Sequence, residues 1–155
     1  MNNELWPSII SAGATVIAGV LVFFLSRGYY KHSRKIENDK LLKELFIEFN
    51  ERYDKINNEL DRISKLKNSE WKGLNGDQIR INEGILIDYF NICSEEYYWY
   101  NEKRISKAIW ESWHKGMNDI YNRSIIVQNL WDKECENEGY KSYYITAKDA
   151  FFKKD

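Results

Sequence analysis

The sequence predicts an all-α protein: a single N-terminal transmembrane helix followed by a compact cytosolic helical bundle. Three observations predict it. Residues 5–26, LWPSIISAGATVIAGVLVFFLS, run for 22 residues without a formal charge. Downstream, apolar residues recur at spacings of three and four, the repeat of a helix with one buried stripe. No stretch shows sustained two-residue alternation between paired turn signals, so no strand is expected.

The first element is the span. An α-helix rises ~1.5 Å per residue, so 22 residues cover roughly 30 Å, the thickness of a bilayer core. A helix also satisfies its own backbone groups in hydrocarbon. The alternative is a soluble helix buried on all sides. Arg27, Lys31, Arg34 and Lys35 crowd the C-terminal flank, while Glu4 alone marks the N-terminal one. Positive flanks stay cytoplasmic, which places the N-terminus outside and the rest of the chain in the cytosol. A cleaved signal peptide fits less well, because RGYYKH is not a small-residue cleavage site. The expected division is therefore a transmembrane helix at 1–27, a basic juxtamembrane segment at 28–35 and a cytosolic domain at 36–155. Within the span Ser11, Thr15 and Gly19 share a face through four-residue spacing, which suits close helix association and a homo-oligomer.

From about residue 31 to 67, Leu42, Leu45, Phe49, Tyr53, Ile56, Leu60 and Ile63 form one apolar stripe, predicting a long helix that continues from the span. KNSEWKGLNGD at 67–77 carries turn signals, with Asp77 as the expected N-cap of a helix over 78–103. That helix is apolar on most sides, with only Asp88, Asn91 and Glu95 forming a polar strip, so it should be central. Ser106 and Ser124 are expected caps of two further helices, the second ending before Gly139 in a glycine C′ position. Thr146 and Asp149 predict a last helical turn.

Composition narrows the function. Setting aside Glu4 and the four juxtamembrane bases leaves 19 bases and 23 acids in residues 36–155. A domain with that balance is not a general duplex nucleic-acid binder, and the basic run reads as an anionic-lipid contact. Cys93 and Cys135 stand far apart and there are two histidines, so neither a disulfide framework nor a zinc site is expected. No cofactor motif and no catalytic signature is found, and no enzyme is expected.

Two groups of residues could bind a ligand. Lys103, Arg104, Lys107, His114, Lys115 and Arg123 interleave with Trp99, Trp110 and Trp113, and Lys107, Trp110 and His114 share one helix face. Cations beside rings suit a ligand made of phosphates and bases. The candidate site is Arg104, Lys107, Trp110, His114, Lys115 and Arg123. The alternative is that the lysines are solvated and His114 merely hydrogen-bonds at the core edge. The second group is Asn50, Arg52, Asp54 and Asn57, a polar strip beside Phe49 and Tyr53. It reads either as a ligand-facing strip or as a network that fixes helix register by pairing Asp54 with a cation.

The segments ELFIEFNERYDKIN, IDYFNICSEEYYWY and IWESWHKGM resemble a large family of short bacterial proteins with an N-terminal membrane helix and a compact helical domain. The likeness covers roughly residues 40–145. The layout is also similar to that of membrane effectors of bacterial antiviral systems, including type III CRISPR effectors that respond to cyclic oligoadenylates. What the resemblance implies is a single-pass protein of the bacterial inner membrane, acting in antiviral defence on a cyclic nucleotide signal. The alternative expectation is a membrane-tethered scaffold presenting a helical protein-interaction domain.

Overall fold

The computed structural model describes the backbone of residues 5–153 and the side chains of residues 22–153, and every regular element among them is helical. In chain order these are α1 (Leu5–Ser64), α2 (Asn68–Lys72), α3 (Gly76–Asn101), α4 (Lys107–Arg123), α5 (Ile125–Glu134) and a 3₁₀ stretch, Glu136–Tyr143. The chain divides into two compact units, Met1–Leu41 and Leu42–Asp155.

In the first unit the described side chains begin near the end of the apolar stretch. Val22, Phe23, Phe24 and Leu25 are all more than half exposed. The Arg27 guanidinium lies over the Phe23 ring at 5.3 Å. Among the described residues, no helix is long and apolar enough to cross a membrane. Most of the expected span at 5–26, and all of the Ser11, Thr15 and Gly19 face, lies outside the described side chains.

In the second unit the expected stripe on α1 is the buried one: Leu45, Phe49, Ile56, Leu60 and Ile63 are all buried. The helix closes with tightened bonds from Lys65 N to Arg62 O and from Leu66 N to Ile63 O. Such i→i−3 bonds satisfy carbonyls that an ended helix would leave open. The segment expected as a plain turn holds the short helix α2, where Glu70 accepts a bond from the Lys67 N–H at 2.6 Å. The cap of α3 is Asn75 rather than Asp77. Its side chain accepts from Gln78 N at 2.9 Å, and Gln78 accepts from Asn75 N at 3.0 Å. This reciprocal pair is a capping box, which Asp77 lies too late to form.

The end of α3 falls at Asn101, two residues before the expected boundary. Arg104 N bonds to Trp99 O and Lys103 N to Tyr100 O, with Lys103 at φ 58°. This is a Schellman closure with lysine in the left-handed position that glycine usually takes. Ser106 and Ser124 cap α4 and α5 as expected.

Gly139 plays a different part from the expected one. Its φ is not positive, and α5 has already ended at Glu134. A Cβ at Gly139 would fall 2.0 Å from the Glu134 carbonyl oxygen, so glycine is required by close backbone approach. The left-handed residues here are Asn137 and Glu138.

The last segment forms turns and bends, not the expected helical turn at Thr146. Its carbonyls are taken up by side chains of other helices instead. His114 Nε2 lies 2.7 Å from Phe151 O, Asn118 donates to the same oxygen at 3.1 Å, and Asn122 donates to Lys153 O at 2.9 Å. Trp131 Nε1 donates to Lys148 O at 3.0 Å. This strapping seats Phe151 and Phe152 in the core, where they meet Trp131 at 5.3 and 5.1 Å between ring centroids. Phe152 also stacks on Tyr121 at 4.5 Å. Such ring pairs each contribute roughly 0.5–1.5 kcal/mol beyond area burial. As expected, α3 is the central helix: it packs on α4, α5 and the 3₁₀ stretch, and its side chains reach α1.

Candidate functional site

Three helices of the second unit enclose a cleft of about 270 Å³, lined by Phe49, Asn50 and Tyr53 from α1, Tyr89 and Glu96 from α3, and Ser112–Ile120 residues of α4 including Trp113, Gly116 and Met117. Helical spacing explains why these residues meet. Tyr89, Cys93 and Glu96 stand at i, i+4 and i+7 and so share a face of α3; Trp113, Gly116, Met117 and Ile120 do the same on α4. Trp113 packs edge-on against Phe46 at 5.1 Å and Phe49 at 5.7 Å, fixing the wall between α1 and α4.

At the floor lies one carboxyl group. Glu96 is 2% exposed. Tyr53 donates its hydroxyl to Glu96 Oε2 at 3.2 Å and sits 3.8 Å from Cys93 Sγ. Tyr89 donates to Met117 O at 2.8 Å, tying α3 to α4. Burial pushes the Glu96 carboxyl up to about 8; the Tyr53 bond and the Arg52 charge pull it partly back, and Glu95 opposes them. Burial charges a desolvation penalty against the ionised form, so Glu96 is mostly protonated at neutral pH. The same cause holds the hydroxyls of Tyr53 and Tyr89 and the Cys93 thiol well above their ordinary values. Cys93 is therefore a thiol rather than a nucleophilic thiolate.

The adjacent acid behaves differently. Glu95 faces α1 and accepts from both terminal guanidinium nitrogens of Arg52, the Nη2 bond being 3.0 Å. Arg52 also lies over the Phe49 ring at 5.9 Å, and the Glu95 bond raises its pKa. A register network between α1 and the central helix does exist, and its cation is Arg52 while its acid comes from α3. Of the second sequence group, Asn50 lines the cleft, Arg52 makes this pair, and Asp54 and Asn57 are exposed.

The first sequence group is spread along α4. Sixteen residues separate Lys107 from Arg123, about 24 Å of helix. Lys107 pairs with Glu111 at 3.4 Å, Lys115 pairs with Asp119, and Arg123 reaches Asp61 of α1 at 3.4 Å. Arg104 is exposed in the α3–α4 connection. Trp110 is buried, stacked on Tyr100 at 4.9 Å, and its ring lies 5.1 Å from that of His114. Thus Trp110 and His114 come together, but as part of the packing that holds the C-terminal strap.

Glu96 and its neighbours Tyr89 and Cys93 were not singled out by the sequence reading. The signal was present as a carboxylate at heptad spacing from Tyr89, inside the apolar face. Among the described residues, no group of three or more His, Cys, Asp or Glu side chains could hold a metal ion. No protein-family model, curated protein or solved structure matches the chain.

Proposed function

We propose that the protein is a membrane-anchored, non-enzymatic sensor or effector whose helical domain receives a small-molecule signal. The observation that carries this reading is the cleft at α1, α3 and α4. It is concave, mostly apolar, and holds a few convergent polar groups, the usual makeup of a small-molecule site. The ionisable groups that line it are all held protonated by burial. Protonated hydroxyls and a protonated carboxyl are poor nucleophiles and offer hydrogen bonds to a guest, which suits recognition. The anchor is the uncharged stretch at 5–26, whose described end carries four consecutive exposed apolar side chains. A bound signal acts by favouring one packing of α1 against α3 and α4, which requires different affinity for two arrangements. Self-association through the Ser11, Thr15 and Gly19 face completes the proposal.

A second reading concerns an anionic nucleotide-like signal, such as a cyclic oligoadenylate in antiviral defence. It is favoured by Lys107 and Lys115, whose side chains are 78% and 75% exposed on the outer face of α4. Their surface ion pairs are worth only ~0–1 kcal/mol, so a phosphate could replace the carboxylates at little cost.

One preparation tests both readings. The full chain, expressed in bacteria, should sediment with membranes and resist carbonate extraction. After detergent extraction, its melting temperature should rise with a cyclic or linear oligonucleotide panel under the second reading alone. A chain found in the soluble fraction removes the anchor. An unmoved melting temperature, or a shift that Lys107→Ala with Lys115→Ala leaves intact, removes the nucleotide site on α4.

A further inference from the structure

We propose that the cleft binds an organic cation: a ligand with an aromatic or aliphatic body and one amine or amidine group, the nitrogen seated on Glu96. The inference rests on the reading of the cleft as the receptor site and names the chemistry it would accept.

The lining decides the sign of the charge. Glu96 is the one carboxyl among the lining residues, and no lysine, arginine or histidine lines the cleft with it. An anion entering there would find no cation among the lining residues to offset its charge, and the one carboxyl could only add to that charge by ionising. A ligand cation instead meets a group able to become its counter-ion. Phe49, Tyr53, Tyr89, Trp113, Met117 and Ile120 offer the apolar and aromatic surface for its body. Ring faces attract cations as well, so the aromatic wall and the carboxyl favour the same ligand charge. The cleft volume of about 270 Å³ limits the guest to a small molecule of one or two rings.

The charged and titratable groups around Glu96 are few. From α1 it faces Tyr53, with Arg52 beyond; from α3, Cys93, Tyr89 and Glu95. The α4 lining contributes Ser112, Trp113, Gly116, Met117 and Ile120, none of which titrates. Binding of an ammonium ion therefore draws the proton from the Glu96 carboxyl. The ligand arrives with its own charge, the Glu96 O–H bond breaks, the proton passes to the buffer, and an ammonium–carboxylate pair remains. Arg52 keeps its own partner, Glu95, throughout.

Gly116 supplies an independent handle on the cleft. A Cβ added there meets nothing within 4 Å, so a larger side chain can grow into the cleft without displacing backbone.

The test is calorimetric titration of the full-length protein in detergent at pH 6.5 with phenethylamine, 2-phenylethanol and phenylacetate, three probes sharing one body. Detergent alone is titrated as the reference. Phenethylamine should bind, and repeating the titration in buffers of different ionisation enthalpy should show close to one proton released. Glu96→Gln should weaken phenethylamine about tenfold or more, since a hydrogen bond to a charged group is worth ~1.5–3 kcal/mol. The same variant should abolish proton release, and Gly116→Leu should weaken binding without changing the fold as read by circular dichroism. If phenylacetate or 2-phenylethanol binds in a Gly116→Leu-sensitive manner and phenethylamine does not, the cation inference is overturned and the receptor reading of the cleft survives. If no probe binds, both fall. Phenethylamine binding without proton release, or unchanged in Glu96→Gln, places the nitrogen elsewhere and overturns the inference.

Discussion

The two faces of α4 treat charge in opposite ways. On its outer face Lys107 and Lys115 lie in water beside Glu111 and Asp119, one turn along the same helix. On its inner face α4 contributes no charge at all and closes over Glu96, a carboxyl removed from water. Outside, solvent screens each ion and the pairs are exchangeable. Inside, the surroundings decide whether the group is an ion in the first place. The contrast teaches that the number of charges near a site says little about its ligand; desolvation says more.

The largest effect that would break this contrast is the pH dependence of stability. The folded-state pKa of Glu96 is about 8, against an ordinary value of 4.5. Between those values the folded chain keeps a proton that the unfolded chain has released. Stability from this group is thus complete below about pH 4.5 and lost as pH rises through about 8. At ~1.4 kcal/mol per unit the loss is at most about 5 kcal/mol. Urea denaturation at pH 5, 7 and 9 should show the decline in the parent chain and a flatter profile in Glu96→Gln. Equal slopes in the two would mean that Glu96 is hydrated, and the inner face would then resemble the outer.

A middling effect sharpens the comparison from the α3 side. Tyr89→Phe removes the hydroxyl that bonds to Met117 O across the cleft floor. A loss of about 1 kcal/mol is expected, with more where the carbonyl is left buried. A stability change within error would show that the α3–α4 contact at the cleft does not depend on that bond. The smallest effects belong to the outer face. Lys107→Ala and Lys115→Ala should each cost less than about 0.5 kcal/mol, because exposed i,i+4 pairs gain little in water. A cost above 1 kcal/mol for either would reveal a hidden role for that lysine in the fold.

The fold was legible where periodicity and capping act locally. Seven apolar positions on α1 repeat every three or four residues; five are buried, and Leu42 and Tyr53 are half-buried. Ser106 and Ser124 cap through a single side-chain bond three residues on, a signal that depends on nothing distant. The misread boundaries are those where a residue does an unusual job. Lys103 takes a left-handed position without being glycine, and Gly139 is required by a carbonyl five residues earlier rather than by its own φ. The tail was misread because its backbone bonds go to His114, Asn118 and Trp131, none of which is near it in sequence. For the site, the sequence put Glu95 on the polar strip of α3 but did not show that its neighbour Glu96 turns inward. That choice is made by Arg52, which takes Glu95 and leaves Glu96 facing Tyr53.

The strap that carries Phe151 and Phe152 has a consequence for biosynthesis. These rings fill the space between Trp131, Tyr121 and Phe90, so the core is incomplete until residue 152 has left the ribosome. The uncharged stretch at 5–26 emerges long before that moment. The cleft-bearing core therefore closes long after the apolar stretch at 5–26 has been made.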